Sequence, residues 1–596
     1  MKLSRLYSNL PSVFSAIDFH DGLNAVLAVI RLPENKRKDT HNLGKSTLVR
    51  LIDFCFLNKK KNDFFLFKHA SLFTDFVFFL EIETAPGRFL TIRRSAAHPS
   101  QIAFKHHVTR GQDFSSLPAE DWDHTAPSFE KAVDLLDSFL NWTAISPWSY
   151  RKMMGYLLRQ QEDFQDVFQL RKFAGPHKQW KPFLALLLGF DDHLITSLYE
   201  QEELLDAKRL EAQTLCSSLG FSDGDLARIE GLILVKERDV ESRQKLLDAF
   251  DFSKADLQHT QALVNRTEAR IAELNQRRYE LARNQKKIED ALQDDEIFFN
   301  TQSARRLFEE AGVLFTGQLK QDFEQLLKFN KAISEERTVY LQEELEEVSR
   351  ELAAVSNALA QLNAERSQHL AFLSETDVFD KYKKLSTELT EVKADVADLH
   401  HQRDNLLKLE ALRKEIQQTA SNCDRLREAV EANVAAQSDK ASLYSAVRIY
   451  FDEIVKKVLD RNAILSVSLN GEGHLDFKAE ILDAVGNATS ADAGHTYRKL
   501  LCIAFDLAVL RAHQGTNFPH FVIHDGVFET LDNRKKENLL EVLHQYAELG
   551  LQSVVTAIDS DLPPRSDSSP FLTSDEIVLQ LNDTGDCGRL FKMPAW

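Results

Sequence analysis

Asn42, Leu43, Gly44, Lys45, Ser46 and Thr47 stand directly before an apolar, helix-forming run at 48–56. A phosphate chain is held by successive backbone N–H groups at a helix N-terminus, by a lysine that reaches its terminal oxygens, and by a hydroxyl that meets the accompanying magnesium. Lys45 and Ser46 have the types and spacing for the last two tasks, and the flanking residues supply the backbone. The segment is the second half of a G-x-x-x-x-G-K-[ST] loop, with Asp39 where the first glycine would stand. The chemistry implied is binding of ATP with Mg2+.

Magnesium needs a carboxylate as well as the hydroxyl. The run Phe521-Val522-Ile523-His524-Asp525 reads as a buried strand ending in one, the Walker B arrangement. There Asp525 would hold the metal through water, opposite Ser46. These two residues lie near opposite ends of the chain, so what separates them must bring them together.

That intervening stretch has no proline between Pro182 and Pro519 and no glycine between Gly317 and Gly471. Both residues interrupt helices, so very long helices are permitted here. Leu341, Leu345, Val348, Leu352, Val355, Leu359 and Leu362 alternate steps of four and three, which is a heptad seam. A second seam runs through Leu385, Leu389, Val392, Val396, Leu399 and Leu406, and a weaker one through Val264, Ile271, Leu274, Leu281, Ile288 and Leu292. The flanks differ in character, with strand-like runs at 76–80, 90–92, 464–469 and 521–524. Each flank reads as half of an α/β domain. The expected organisation is an N-terminal half at 1–195, a coiled-coil arm at 196–444 turning near 309–318, and a C-terminal half at 445–596. With roughly 100 residues per limb at about 1.5 Å each, the arm would reach on the order of 150 Å.

Further segments carry a family resemblance. Asp492-Ala493-Gly494-His495-Thr496-Tyr497-Arg498 and the apolar helix after it resemble the signature segment of ABC ATPases, with Gly494 and Arg498 kept from its core. Asp532 stands seven residues after Asp525, where those ATPases place their D-loop aspartate. The opening Ile17-Asp18-Phe19-His20-Asp21-Gly22-Leu23-Asn24 and the run Leu186-Leu187-Leu188-Gly189-Phe190 are similar to matching points of SMC and RecN proteins. Phe315, Phe323, Phe329, Ile333, Glu336, Arg337, Tyr340 and Leu341 resemble the central domain of the YydD-like bacterial branch, some of whose members belong to ABC-three-component conflict systems. The chain therefore resembles an SMC/RecN-like ABC ATPase. That resemblance implies an α/β, ABC-type head assembled from N- and C-terminal halves, with a long antiparallel coiled-coil arm inserted.

The same resemblance implies a homodimer through the heads, each ATP lying between Lys45, Ser46 and Asp525 of one copy and the Gly494 segment of the other. It places the Q-loop at Gln160 or Gln161, and it implies DNA as a partner, separate effector or accessory proteins, and a role in anti-phage or anti-plasmid defence. Two departures bear on turnover. Gly526 occupies the position where the family carries its catalytic glutamate, and Ala557 follows Val554-Val555-Thr556 where a switch histidine is expected. Glu529 and His524 are the candidate substitutes. Loss of such groups slows phosphoryl transfer more than it weakens binding. The expectation is a slow ATPase, and its rival is a non-hydrolysing, ATP-gated scaffold that recruits an effector.

Composition limits the remaining possibilities. A formal charge of -18 over 596 residues argues against a protein that coats nucleic acid with its whole surface, although Lys36-Arg37-Lys38 and Lys59-Lys60-Lys61 are local basic clusters. The five cysteines form no C-x-x-C pair, so neither a zinc hook nor a disulfide framework is expected. No H-E-x-x-H or G-x-S-x-G occurs, and no apolar run has the form of a signal peptide or bilayer span. A cytoplasmic protein with no membrane partner is expected.

Overall fold

The computed structural model describes residues 1–31, 43–171, 175–219, 225–249, 257–293, 317–371, 378–483, 485–489, 494–563, 570–594 and 596. Asp39, Asn42, the Lys36-Arg37-Lys38 cluster, Asp492, Ala493 and residues 309–316 of the expected arm turn lie outside them. The side chains named from Phe315 to Arg337 do so too. The chain forms two compact units, one of residues 1–206 with 417–596 and one of residues 207–416.

The first unit is mixed α/β. Strands β1 (Lys2–Ser8), β2 (Ile17–Asp18), β4 (Val77–Ala85), β5 (Arg88–Ser95), β6 (Ile102–His107) and β7 (His124–Thr125) form an antiparallel sheet in the order β2-β1-β4-β5-β6-β7. Pro86 and Gly87 make its tightest hairpin, where Gly87 takes a φ of 71°. A second sheet is wholly parallel, from β3 (Leu23–Val29), β8 (Leu158–Arg159), β11 (Phe521–His524), β12 (Gln552–Ile558) and β13 (Ile577–Asn582). Its order is β13-β3-β12-β11-β8, so β3 lies between two strands from the other end of the chain. All residues of β11 and β12 are buried, as expected for parallel strands covered on both faces. The Gln552 side chain joins the sheets by accepting from Leu3 N–H at 2.8 Å and donating to the Leu3 carbonyl at 2.9 Å. A separate hairpin pairs β9 (Ala463–Leu469) with β10 (Leu475–Ile481).

This unit also contains helices α1 (Lys45–Cys55), α2 (Tyr150–Leu157), α8 (Leu443–Leu459), α9 (His495–Ala512) and α10 (Asn533–Glu548). Helix α1 follows β3, α2 leads directly into β8, and α10 connects β11 to β12 as a parallel crossover requires. Helix α8 packs against both α9 and α10. Helix α9 is buried from Lys499 to Leu510, which explains its near-continuous apolar sequence.

The second unit is helical. The chain enters it in α3 (Asp192–Leu219), continues through α4 (Asp225–Asp248), α5 (Leu257–Gln293) and α6 (Gly317–Ala371), and leaves in α7 (Val378–Ala436). The seam of α5 packs on that of α6, with Ile271, Leu281, Ile288, Val348, Val355 and Leu359 in one buried cluster. Helix α7 pairs with two partners in opposite senses. Lys236–Asp395 at 2.8 Å and Arg243–Glu388 at 2.6 Å set α4 antiparallel to it, while Ser386–Glu268 at 2.7 Å and Arg283–Asp398 at 2.9 Å set α5 parallel. A plain two-limbed hairpin has no such parallel pair, so the described helices run back and forth more often than the seams suggested. A heptad seam marks which face is apolar and carries no label for direction.

Candidate functional site

The site grows from the junction of β3, α1 and β11. Gly44 caps α1 in the left-handed region at φ 111°, and a Cβ added there would lie 2.6 Å from Leu590 Cβ. Conformation and space both require glycine at this point. Leu590 N–H in turn donates to the Leu43 carbonyl at 3.0 Å, so a C-terminal residue braces the loop. Lys45 opens the helix and is buried. Desolvation lowers its pKa, while Glu529, Asp525 and Asp561 pull the other way. The Ser46 hydroxyl donates to Asp525 Oδ2 at 2.5 Å, across 479 residues of sequence.

Asp525 follows β11 and is wholly buried. Its other oxygen accepts from the Thr556 hydroxyl at 2.5 Å, and that hydroxyl accepts from Gly526 N–H at 2.8 Å. Thr556 therefore aims the carboxylate at Ser46. Removing its hydroxyl in Thr556→Val leaves two buried polar groups unsatisfied, and the expected loss is about 1–3 kcal/mol in denaturant unfolding. Thr556→Ser should recover most of it.

After Asp525 the backbone turns through Gly526, at φ 71°. A Cβ at 526 would sit 2.8 Å from both Gln161 Nε2 and Glu529 Cδ, so Glu529 fills the space a side chain at 526 would enter. Gln161 Nε2 donates to the Glu529 oxygens at 3.0 and 3.1 Å. Burial raises the Glu529 pKa, against the opposing pull of Lys499 and Lys45. Gln160 is engaged elsewhere: it caps the 3-10 turn at Gln161–Gln165 and accepts from Arg50 Nε at 3.3 Å.

His524, the other candidate for the missing glutamate, is fully buried with Nε2 3.1 Å from Asp506 Oδ2. Neighbouring strand residues point to opposite faces, which turns His524 away from the Asp525 carboxylate. Asp506 is also gripped by Arg159, with Nε and Nη2 donating at 2.7 and 2.8 Å. Burial works against the Arg159 charge, but Asp506 outweighs it and the pKa rises. Asp506→Ala would strand this guanidinium in the core, and a loss of about 3–5 kcal/mol in denaturant unfolding is expected.

Asp532 caps α10, accepting from Lys535 N–H at 3.1 Å and pairing with Lys535 Nζ at 2.7 Å. The side-chain and backbone hydrogen bonds from Lys535 lower its pKa. Gly494 caps α9 and is exposed. Between Glu529 and Asp532, Thr530 adopts φ 69°, a sparsely populated conformation for a β-branched residue. The Thr496 hydroxyl lies 3.3 Å from that of Thr530.

Of the residues proposed from sequence, Gly44, Lys45, Ser46, Asp525, Gln161 and Glu529 converge. Gly494 and Asp532 stand at the starts of α9 and α10, and Thr47 is the third residue of α1. Sequence reasoning missed Thr556, Lys499 and the Arg159–Asp506 pair. The one available signal was a charge at Lys499 and at Asp506 inside an apolar helix. Among the described residues no cluster of three or more His, Cys, Asp or Glu is arranged for a metal, and no helix is long and apolar enough to cross a membrane.

The arrangement defines a class: a mixed α/β unit, built from both ends of the chain, in which the start of the Lys45–Cys55 helix faces a buried carboxylate, with long helices inserted. Residues 450–595 match a family described as an uncharacterised protein conserved in bacteria (DUF2326). That span holds Gly494, Asp525, Glu529 and Asp532, while Lys45 lies outside it. No curated protein matches the chain. Among solved structures, it is similar to an Smc head domain with a coiled coil and joint from Pyrococcus yayanosii, at 13% identity and TM-score 0.33, covering 93% of this chain and 92% of that one. It is also similar to an Smc head domain with an extended coiled coil, bound to the C-terminal domain of ScpA, from Pyrococcus furiosus. There the identity is 11% and the TM-score 0.31, with 94% and 90% covered.

Proposed function

We propose that this chain is an ATP-binding, slowly hydrolysing head of SMC/RecN-like type. The observation that carries the reading is the Ser46–Asp525 hydrogen bond, a hydroxyl at the start of a helix against a buried carboxylate, while Gln161 holds Glu529 beside them. The donor set suits MgATP: hard oxygens side by side for a magnesium ion, and one buried ammonium at a helix N-terminus for phosphate. Magnesium, when bound, would neutralise charge on the phosphate chain.

In this reading Lys45 would bind the terminal phosphate oxygens, and Ser46 and Asp525 would hold the metal. Glu529 orients the attacking water and takes its proton as the bond to the leaving ADP breaks, with Gln161 fixing the carboxylate. The N-terminus of α9 at Gly494 would meet the ATP of a second copy, so that nucleotide closes a homodimer. Coupling of that closure to DNA or to an effector protein, in the YydD-like defence setting, is part of the same proposal and rests on sequence resemblance.

Steady-state ATP hydrolysis with and without linear double-stranded DNA, beside Lys45→Ala, tests it. Turnover that needs Lys45 supports the ATPase, and stimulation by DNA supports the coupling. ATP binding with no turnover above the mutant would favour an ATP-gated scaffold, a reading that Gly526 also favours by placing no carboxylate directly after Asp525.

A further inference from the structure

We propose that Lys499 is a positioning residue for Glu529, its ammonium group spanning the carbonyls of Gly526 and Glu529 and so fixing the loop that presents the Glu529 carboxylate to Gln161. This rests on the reading of Glu529 as the group that orients water.

The loop from Asp525 to Leu531 belongs to no helix or strand and contains two left-handed residues, Gly526 and Thr530. Something outside it must hold it in shape. Lys499 reaches in from α9 with 2% of its surface exposed, and Nζ donates to the Gly526 carbonyl at 2.8 Å and the Glu529 carbonyl at 3.2 Å. Thr496, one turn earlier, touches Thr530. The first turns of α9 thus grip the loop at 526, 529 and 530. The helix is itself anchored, through Asp506 on Arg159 and Cys502 Sγ donating to the Asp166 carbonyl.

A buried ammonium is a costly way to fill an apolar helix face, where methionine would pack without desolvating a charge. What lysine adds is reach, two directed hydrogen bonds and a positive charge near Glu529. The groups that act on Glu529 are Lys499 and Lys45, which favour its charged form, and Asp525 and Asp561, which oppose it. Gln161 contributes a neutral donor.

The test compares full-length wild type, Lys499→Met, Lys499→Arg, Glu529→Gln and Lys499→Met/Glu529→Gln. Lys499→Met should lower kcat about 10- to 100-fold while KM for ATP and the affinity for a fluorescent ATP analogue change less than about twofold. Its acid limb should move to higher pH, because one of two cations favouring the carboxylate is gone. Added to Glu529→Gln it should cost less than about a further twofold, since both changes remove one function. Lys499→Arg should restore part of kcat.

A merely structural lysine predicts otherwise: a full additional loss in the double mutant and no shift of the pH profile, and either result overturns the proposal. If wild type shows no Lys45-dependent hydrolysis, the catalytic reading of Glu529 falls by itself. Hydrogen exchange at amides 526–531 then judges the clamp: protection lost in Lys499→Met supports it, and unchanged protection overturns it.

Discussion

Glu529→Gln should abolish most hydrolysis while ATP still binds. The substitution keeps size and a hydrogen bond to Gln161 but removes the group proposed to take the proton of the attacking water. General-base groups contribute about 100- to 10,000-fold, so a loss in that range is expected in single-turnover assays, with affinity for a fluorescent ATP analogue nearly unchanged. ATP should then hold the closed dimer, visible as a shift to twice the monomer mass in light scattering. The pH profile supplies an independent check. Burial raises the Glu529 pKa, so as pH falls through that raised value the carboxylate is protonated and hydrolysis is lost. The acid limb of wild type should therefore lie above the ordinary carboxylate range, and Glu529→Gln should lack it. Wild-type turnover in Glu529→Gln would exclude this residue from catalysis.

Lys45→Ala should remove both binding and turnover. Its ammonium group faces Glu529, Asp525 and Asp561 at the start of α1, where a phosphate would replace the missing water around it. Charge-assisted hydrogen bonds contribute about 1.5–3 kcal/mol, which corresponds to about 10- to 100-fold in affinity. Loss of an electrostatic stabiliser in the transition state costs a further factor of about 100 to 1,000 in rate. Stability should move the other way or not at all. Desolvation lowers the Lys45 pKa, so the folded state carries this charge under strain, and alanine relieves it. A melting temperature unchanged or raised, together with lost ATP binding by calorimetry, is the expected pair of results. Normal ATP affinity in Lys45→Ala would remove the phosphate-loop reading altogether.

Much of this site and fold is legible in the sequence, because the features concerned are local. A glycine, a lysine and a serine in succession before an apolar run mark the start of a helix within six residues, and Gly44 caps it. The run from Phe521 to His524 is apolar enough to require a buried strand, and that strand is β11. Apolar residues at heptad spacing mark the seams of α5, α6 and α7, with steps of four and three alternating without a break along α6, and such spacing depends only on helix period. The division into two flanks around a helical middle followed from where proline and glycine are missing.

Tertiary structure decided what depends on direction and distance. Sequence offered His524 beside Glu529, and Gln160 beside Gln161, with nothing to show which of each pair meets the other. Strand pleat sends His524 to Asp506, while the left-handed turn at Gly526 brings Glu529 back to Gln161. Thr556 looked like an ordinary strand position, and the charge at Lys499 in an apolar helix gave no partner, since the groups they serve lie 30 and 27 residues away or more. Arg159 and Asp506 pair across 347 residues, a separation no local pattern encodes. The sense in which α5 runs along α7 was equally hidden. By itself the sequence determined which residues could do chemistry and which faces were apolar, since both follow from side-chain type and short-range period. Which of those residues meet was left to the closure of one parallel sheet from the two ends of the chain.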